Sequence, residues 1–265
     1  MTNINPRLKA LADRLKTDLP SENVPIIDEV KEPESEMLTF VPSNINPREY
    51  IKIPGTSILI ARQETLKGFK REKTYYELAK KGLFMPNSAI FMPYFLKVQE
   101  ASLGKINLYD GNGTVIDRNE SEDLWKYLTT GLRGECWTWL DDLFKEDANG
   151  WKLETDHRIV NGKLTSKTYN LESCLRKDAY VSLEFNRQGI PTPTSESGYQ
   201  KYKQGKNIYF RHPRDGTVAR FIAGSGRADL GCGGNPSFSS ASLGVFACAE
   251  GATRAKKISR VKHGR

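Results

Sequence analysis

The sequence predicts an α+β fold in which two helices pack on an irregular antiparallel sheet of hairpins joined by long loops. Three observations carry this reading. Between Lys73 and Phe144 apolar residues recur at helical spacing, beyond Trp151 they alternate with polar ones, and Asn-Gly, Asp-Gly and Pro-bearing turns separate the alternating runs. With 265 residues, 38% of them hydrophobic, and with 22 glycines and 13 prolines, the chain buries a sizeable core as one large, turn-rich domain with extensions.

Residues 1–45 form an N-terminal extension, with Leu8, Leu11 and Leu15 at helical spacing, an acidic proline-bearing connector, and an extended Met37 to Val41. The body runs from 46 to 253. A strand is expected around Ser57 to Arg62 and a helix over Lys73 to Lys81 that stops at Gly82. Leu83 to Val98 is the most apolar run, but it is too short for a membrane span and is interrupted by Pro86, Asn87 and Pro93, so it belongs to the core. Asp110-Gly111-Asn112-Gly113 lies between two alternating runs and marks a hairpin.

Asn119 and Glu122 resemble a capping box, after which Leu124, Leu128 and Leu132 predict a helix that Gly131 and Gly134 end. Trp137, Leu140 and Phe144 predict a second helix, closed by Asn149-Gly150. Asn161-Gly162 is a turn, and Ala179, Val181, Leu183 and Phe185 alternate as a half-buried strand should. Ile208 to Arg211, Thr217 to Ser225 and Ala241 to Ala249 are further strands, the first two joined through Pro213-Arg214-Asp215-Gly216.

The net charge of +8 is concentrated at the end of the chain, where an acid-free tail, residues 254–265, holds six basic residues. The remaining body is nearly neutral and lacks the basic stripe that a specific nucleic-acid partner requires. The N-terminus is too polar for a signal peptide, and no segment predicts membrane insertion. Cys136, Cys174, Cys232 and Cys248 show no metal-ligand spacing, so buried free thiols are expected.

His157 and His212 have no nucleophile motif beside them and are read as surface or strand-capping residues. Asp141, Asp142, Glu146 and Asp147 are read as the solvated face of the second helix. Trp125, Trp137, Trp139 and Trp151 are assigned to packing around the helices. No catalytic residue, cofactor or metal is expected.

The run Ala219 to Gly251 departs from everything before it. Ile222 to Ser240 contains no Lys, Glu, Gln, Met or Trp, and its glycines alternate with Ser, Ala, Asp and Phe between two strand-like runs. Gly224-Ser225-Gly226 is followed by Arg227, Ala228 and Asp229, with neither a third glycine nor a helical pattern, so this is no phosphate-binding loop. Bare backbone between strands points instead to a binding face.

Paired helices, then β-hairpins, then a terminal strand pair bearing Gly-Ser-Gly-Arg-Ala at 224–228 and Ser242-Leu-Gly-Val-Phe-Ala-Cys-Ala-Glu250 resemble the variable proteins of diversity-generating retroelements, the archaeal and viral members most. The resemblance is most specific over Asp215 to Gly251 and architectural from Tyr50 to Arg214. It implies a C-type lectin fold, of the branch shared with formylglycine-generating enzymes, whose surface is diversified at adenines of a template copy. Asn codons randomised in this way cannot become Lys, Glu, Gln, Met or Trp, the types missing from Ile222 to Ser240.

On that basis the exchangeable positions, within a variable region of about 220–250, are Ile222, Gly224, Gly226, Asp229, Gly231, Gly233, Gly234, Asn235, Phe238 and Ser240. Residues 222, 224 and 226 share one strand face, whereas Phe221, Ala223 and Ser225 share the other. The fixed frame is Arg220, Phe221, Arg227, Ala228, Leu230, Cys232, Pro236, Leu243, Val245 and Phe246. The implied function is metal-independent binding of a protein or glycan on a cell surface by a monomeric display protein of a virion or cell surface. The alternative on the same fold is a formylglycine-generating-type oxidase.

Overall fold

The computed structural model describes residues 38–40, 45–131, 135–224 and 226–253, with backbone alone at 38–40 and 252–253. The expected N-terminal helix at Leu8 to Leu15, Leu132, Gly134, Ser225 and the basic tail lie outside the described residues. The fold is mixed α+β, with three helices and three sheets among the described residues.

In chain order, strands β1 (Leu38–Phe40), β2 (Tyr50–Lys52) and β3 (Ile58–Ala61) precede helices α1 (Arg71–Ala79) and α2 (Ser88–Ser102). The hairpin β4 (Leu108–Asp110) and β5 (Val115–Ile116) forms around the expected turn, where the Asp110 carboxylate accepts from the backbone N–H of Asn112 and Thr114 at 2.8 and 2.9 Å. Helix α3 (Arg118–Thr130) begins two residues before the expected box, because Asp117 caps it by accepting from the Glu120 N–H at 2.8 Å. Its end is the expected one: Gly131 takes the left-handed conformation, φ 65°, that closes a helix.

The remainder is β: β6 (Cys136–Asp147), β7 (Gly150–Val160), β8 (Lys163–Asn170), β9 (Ala179–Ser182), β10 (Asn207–Arg211), β11 (Thr217–Gly224), β12 (Arg227–Gly234), β13 (Leu243–Gly244), β14 (Cys248–Glu250) and β15 (Ala252–Thr253). The predicted helix over Trp137, Leu140 and Phe144 is therefore wrong, and Asn149-Gly150 is the turn of the β6–β7 hairpin. The cause is an irregularity in β6. Arg220 pairs with Trp139 but Val218 pairs with Leu143, so the stretch at 140–142 is looped into the strand. Leu140 and Phe144, four apart, are thereby both returned to the core, which imitates helical spacing.

The largest sheet has the order β8-β7-β6-β11-β12-β10-β9, with β13 added beside β6. One face of it packs on α2 and α3, where Phe221 lies 4.9 Å from Phe91 and 5.3 Å from Phe95 between ring centroids. A second sheet, β14-β3-β2-β4-β5, alternates between two clusters. Ile51, Ile60 and Cys248 join the helix-side core, while Tyr50, Leu59, Ala61, Ala247 and Ala249 join a second core with Trp139, Val218 and Leu243. The apolar run from Leu83 enters the first core through Phe91, Met92, Tyr94, Phe95 and Val98 of α2, and leaves Pro93 exposed. No helix among the described residues is long and apolar enough to cross a membrane.

Candidate functional site

Alternation in β11 and β12 builds the candidate face. Phe221, Ala223, Ala228, Leu230 and Cys232 are fully buried on the helix side. Ile222, Gly224, Asp229 and Gly231 consequently point to the other side, Ile222 is the direct cross-strand partner of Asp229, and the register shifts beyond Gly231. Adjacent strands extend these positions into two rows. One row is Tyr180, Tyr209, Asp229, Ile222 and Trp137; the next is Arg211, Gly231, Arg220 and Trp139. Trp139 lies at the second core, so the face opens to solvent toward β12 and β10.

Asp229 is nearly covered by arginine side chains. Arg227 donates from Nη2 to Oδ2 at 3.0 Å and brings Nε to 2.8 Å from Oδ1, while Arg211 stands 4.0 Å from Oδ2. Burial pushes the Asp229 carboxyl above its ordinary value against the opposing pull of these arginines. Arg227 stacks over the Tyr209 ring at 4.8 Å, and the Tyr180 ring meets Tyr209 edge-on at 5.1 Å. Arg220 is held between the rings of Phe238 and Trp139, its Cζ 5.0 and 5.7 Å from their centroids. Burial, then the charge of Arg211, holds the Arg220 guanidinium below its ordinary pKa.

The ten proposed positions separate by the space around them. At Gly231 a Cβ would find only the Arg220 carbonyl oxygen at 3.8 Å and Arg211 Cδ at 4.0 Å. At Gly233 it would meet the His212 carbonyl at 3.4 Å, and at Gly224 the Glu135 side chain at 3.3 Å. Gly234 is closed: a Cβ there would lie 2.7 Å from Arg220 Nε and 2.8 Å from the Val218 carbonyl oxygen. Gly226 has open space but a φ of 79°, so it forms the tight turn between β11 and β12 and not a continuation of the face. Asn235, Phe238 and Ser240 follow in the loop after β12, with Phe238 exposed and the Asn235 carboxamide accepting from the Ser237 N–H at 2.8 Å.

The frame residues Phe221, Ala228, Leu230, Cys232, Leu243, Val245 and Phe246 are all fully buried. Arg220 and Arg227, by contrast, reach the proposed face itself. Tyr180, Tyr209 and Arg211 are functional candidates that sequence reasoning missed. They come from β9 and β10, upstream in the chain, and only strand order brings them beside the glycines.

Two other polar clusters were illegible in the sequence. Asp141 and Asp142 do not face solvent; each is 1% exposed. Asp141 accepts from Tyr75 Oη at 2.6 Å and from the His157 backbone N–H at 2.8 Å, with His157 Nδ1 at 2.5 Å and Arg71 at 3.5 Å. Asp142 accepts from both the N–H and the hydroxyl of Ser88, at 2.8 and 2.5 Å. His157 is thus a buried member of a hydrogen-bonded network around Asp141, not a surface residue, while His212 is partly exposed and bonded to Asp178 at 2.6 Å. Glu146 and Asp147 are exposed, as expected.

The second cluster lies at a cavity of about 240 Å³ lined by Ile51, Arg62, Glu64, Leu124 and Tyr127 among others. The Glu64 side chain is 1% exposed and accepts from the Tyr127 hydroxyl, with Lys67 at 3.8 Å. Behind it, burial and then Glu64 push the Cys136 thiol well up. Its contributors lie at 62–67, 124–127 and 136, a spacing that matches no motif. Cys232 and Cys248 are free and fully buried, and burial pushes both thiols up. Among the described residues no group of three or more His, Cys, Asp or Glu side chains is arranged to hold a metal ion.

No protein-family model matches the chain, and neither a curated protein nor a solved structure matches it.

Proposed function

We propose that this chain is a non-enzymatic ligand-binding display protein whose C-terminal surface is diversified as the resemblance to retroelement variable proteins implies, on a C-type-lectin-like scaffold. The binding face is the solvent side of β10, β12 and β11 together with the loop that carries Phe238. The partner in this reading is a protein or glycan on a cell surface, met from a virion or from another cell. The observation that supports it is the division of labour along β11 and β12. Phe221, Ala228, Leu230 and Cys232 fill the helix-side core, and Ile222 and Gly231 stand on the opposite side, where a Cβ at Gly231 would meet nothing closer than 3.8 Å. Aromatic and arginine side chains border them, the residue types that dominate binding surfaces.

Within this reading the exchangeable set narrows. Gly234 serves the packing of Arg220, Gly226 serves the turn, and Asp229 anchors Arg227, so the variable weight falls on Ile222, Gly224, Gly231, Gly233, Asn235, Phe238 and Ser240. The test is a panel of full-length variants. Gly231→Tyr, Ile222→Asn and Phe238→Ser are expected to melt within about 3 °C of the parent, while Gly234→Ala loses about 1–3 kcal/mol from overpacking and melts lower by about 3–10 °C. Equal losses across the panel would make the whole run a folding element and sink the display reading. For diversification itself the decisive observation is a near-duplicate of the DNA encoding 220–251 that differs only at adenines, beside a reverse transcriptase gene.

A further inference from the structure

We propose that the cavity between α3 and the segment that follows β3 is a binding site for a small aliphatic amine, held by its ammonium group on the buried carboxylate of Glu64. The cavity shares no lining residue with the proposed display face, so this inference stands apart from that reading.

The carboxylate is only half satisfied. Glu64 lines the cavity with a side chain 1% exposed; Oε2 accepts from the Tyr127 hydroxyl, and Oε1 has no hydrogen-bond partner among the described residues. The neighbouring cations are engaged elsewhere. Arg62, two residues away, pairs with Glu120 through Nη1 and leaves its own Nε buried without a partner, and Lys126 stands 3.7 Å from Asp123. The Cys136 thiol beside Glu64 is a weak donor and stays neutral, because burial pushes it well up. What is left is Lys67, whose Nζ stops 3.8 Å from Oε2, beyond hydrogen-bond distance, on a side chain 45% exposed. A buried carboxylate oxygen without a donor is costly, and a charged N–H donor relieves it best.

The rest of the cavity describes the guest. Its volume of about 240 Å³ lies below the roughly 300–1,000 Å³ of sites for drug-sized ligands, so the guest is small. Ile51 of β2, Ile116 of β5 and Leu124 of α3 line it with apolar surface, which an alkyl body covers and a bare metal ion does not use. A hydroxyl in place of the ammonium supplies a donor without neutralising Glu64, and a quaternary cation supplies the charge without the donor. The way in is past Lys67. An ion pair so long and so exposed holds its lysine loosely, and the arriving ammonium takes over the carboxylate as that side chain turns outward.

The experiment follows the Ile and Leu methyl resonances of the full-length protein by NMR during titration with n-butylammonium, 1-butanol and tetramethylammonium, probes of matching size. n-Butylammonium is expected to bind saturably and to shift the methyls of Ile51, Ile116 and Leu124 first, with the other two at least about tenfold weaker. Lys67→Gln removes a competing ammonium and is expected to tighten n-butylammonium by about threefold or more. Glu64→Gln keeps an acceptor for Tyr127, removes the charge, and is expected to weaken n-butylammonium by about tenfold or more. Binding of 1-butanol or tetramethylammonium as tight as that of n-butylammonium overturns the proposal, because the site would then respond to shape or charge alone. So does a Lys67→Gln variant that binds no more tightly than the parent, or a first shift at methyls away from the cavity. These outcomes need no change at Glu64, so they decide the matter even where Glu64→Gln fails to fold; a folded Glu64→Gln that binds as the parent does overturns it too. A parent that n-butylammonium does not saturate overturns it outright, and leaves the display reading to its own test at Ile222, Gly231 and Phe238.

Discussion

Asp142 shows how one residue ties the fold to pH. Burial pushes its carboxyl up to about 7, with the hydrogen bonds from Ser88 opposing the rise and the neighbouring Asp141 charge adding to it. The native state therefore keeps a proton that the unfolded chain releases near its ordinary value of 3.8. Stability from this group is complete below about pH 4 and is lost as pH rises toward 7, at roughly 1.4 kcal/mol for each unit between the two states. Asp142→Asn is expected to flatten the fall in melting temperature between pH 4 and 7. A variant that keeps the parent's slope would show that another group carries it. The sequence hid this residue because Asp-Asp inside an apolar run reads as a solvated helix face. It is the irregularity of β6 at 140–142 that turns both carboxylates inward.

At the scale of elements, α1 is pinned to β6 by polar contacts more than by a broad apolar face. Arg71 and Tyr75, one turn apart on the helix, both reach Asp141, and Tyr75 stacks on His157 of β7 at 5.1 Å. Arg71→Leu leaves a buried carboxylate with one partner fewer. The expected cost is about 3 kcal/mol, read from urea denaturation followed by circular dichroism. A loss under about 1 kcal/mol would mean that Tyr75 and the His157 backbone already satisfy Asp141.

Elements with a local signal were legible in the sequence. The turn at Asp110 to Gly113, the stop at Gly131, the Asn161-Gly162 turn and the strands at Ile208, Thr217 and Ala179 each rest on residues that act within a few positions of themselves. The run from Trp137 to Phe144 was misread because its apolar residues face two cores, which erases simple alternation. The proposed face was half legible. Alternation along β11 and β12 separates Ile222 from Phe221, but nothing local joins Gly231 to Arg211, Tyr209 or Tyr180.

For the whole molecule, the segment from Leu243 to Glu250 is what joins the two larger sheets. β13 runs parallel to β6, Phe246 donates its N–H to Thr138 Oγ1 at 3.2 Å, and β14 then pairs with β3. Val245, Phe246, Ala247 and Cys248 are almost wholly buried along the way. Each large side chain removed from such a core costs about 3–5 kcal/mol, against a total stability of about 5–15 kcal/mol. A chain cut after Ser242 is therefore expected to show no cooperative unfolding transition in urea. A sigmoidal transition near the parent's midpoint would mean that the glycine-rich strands fold without their C-terminal seam.

The short pair of β1 and β15 has a mechanical meaning. Leu38 lies opposite Thr253 and Phe40 opposite Ala252, so the chain enters and leaves the folded body at one place. Because the strands are antiparallel with both outer ends on the same side, a pull applied through the two ends peels this pair one bond at a time instead of shearing it. The latch opens at low force. Until it does, the body hangs from a single point, and the sheet face on β10, β12 and β11 carries no tension.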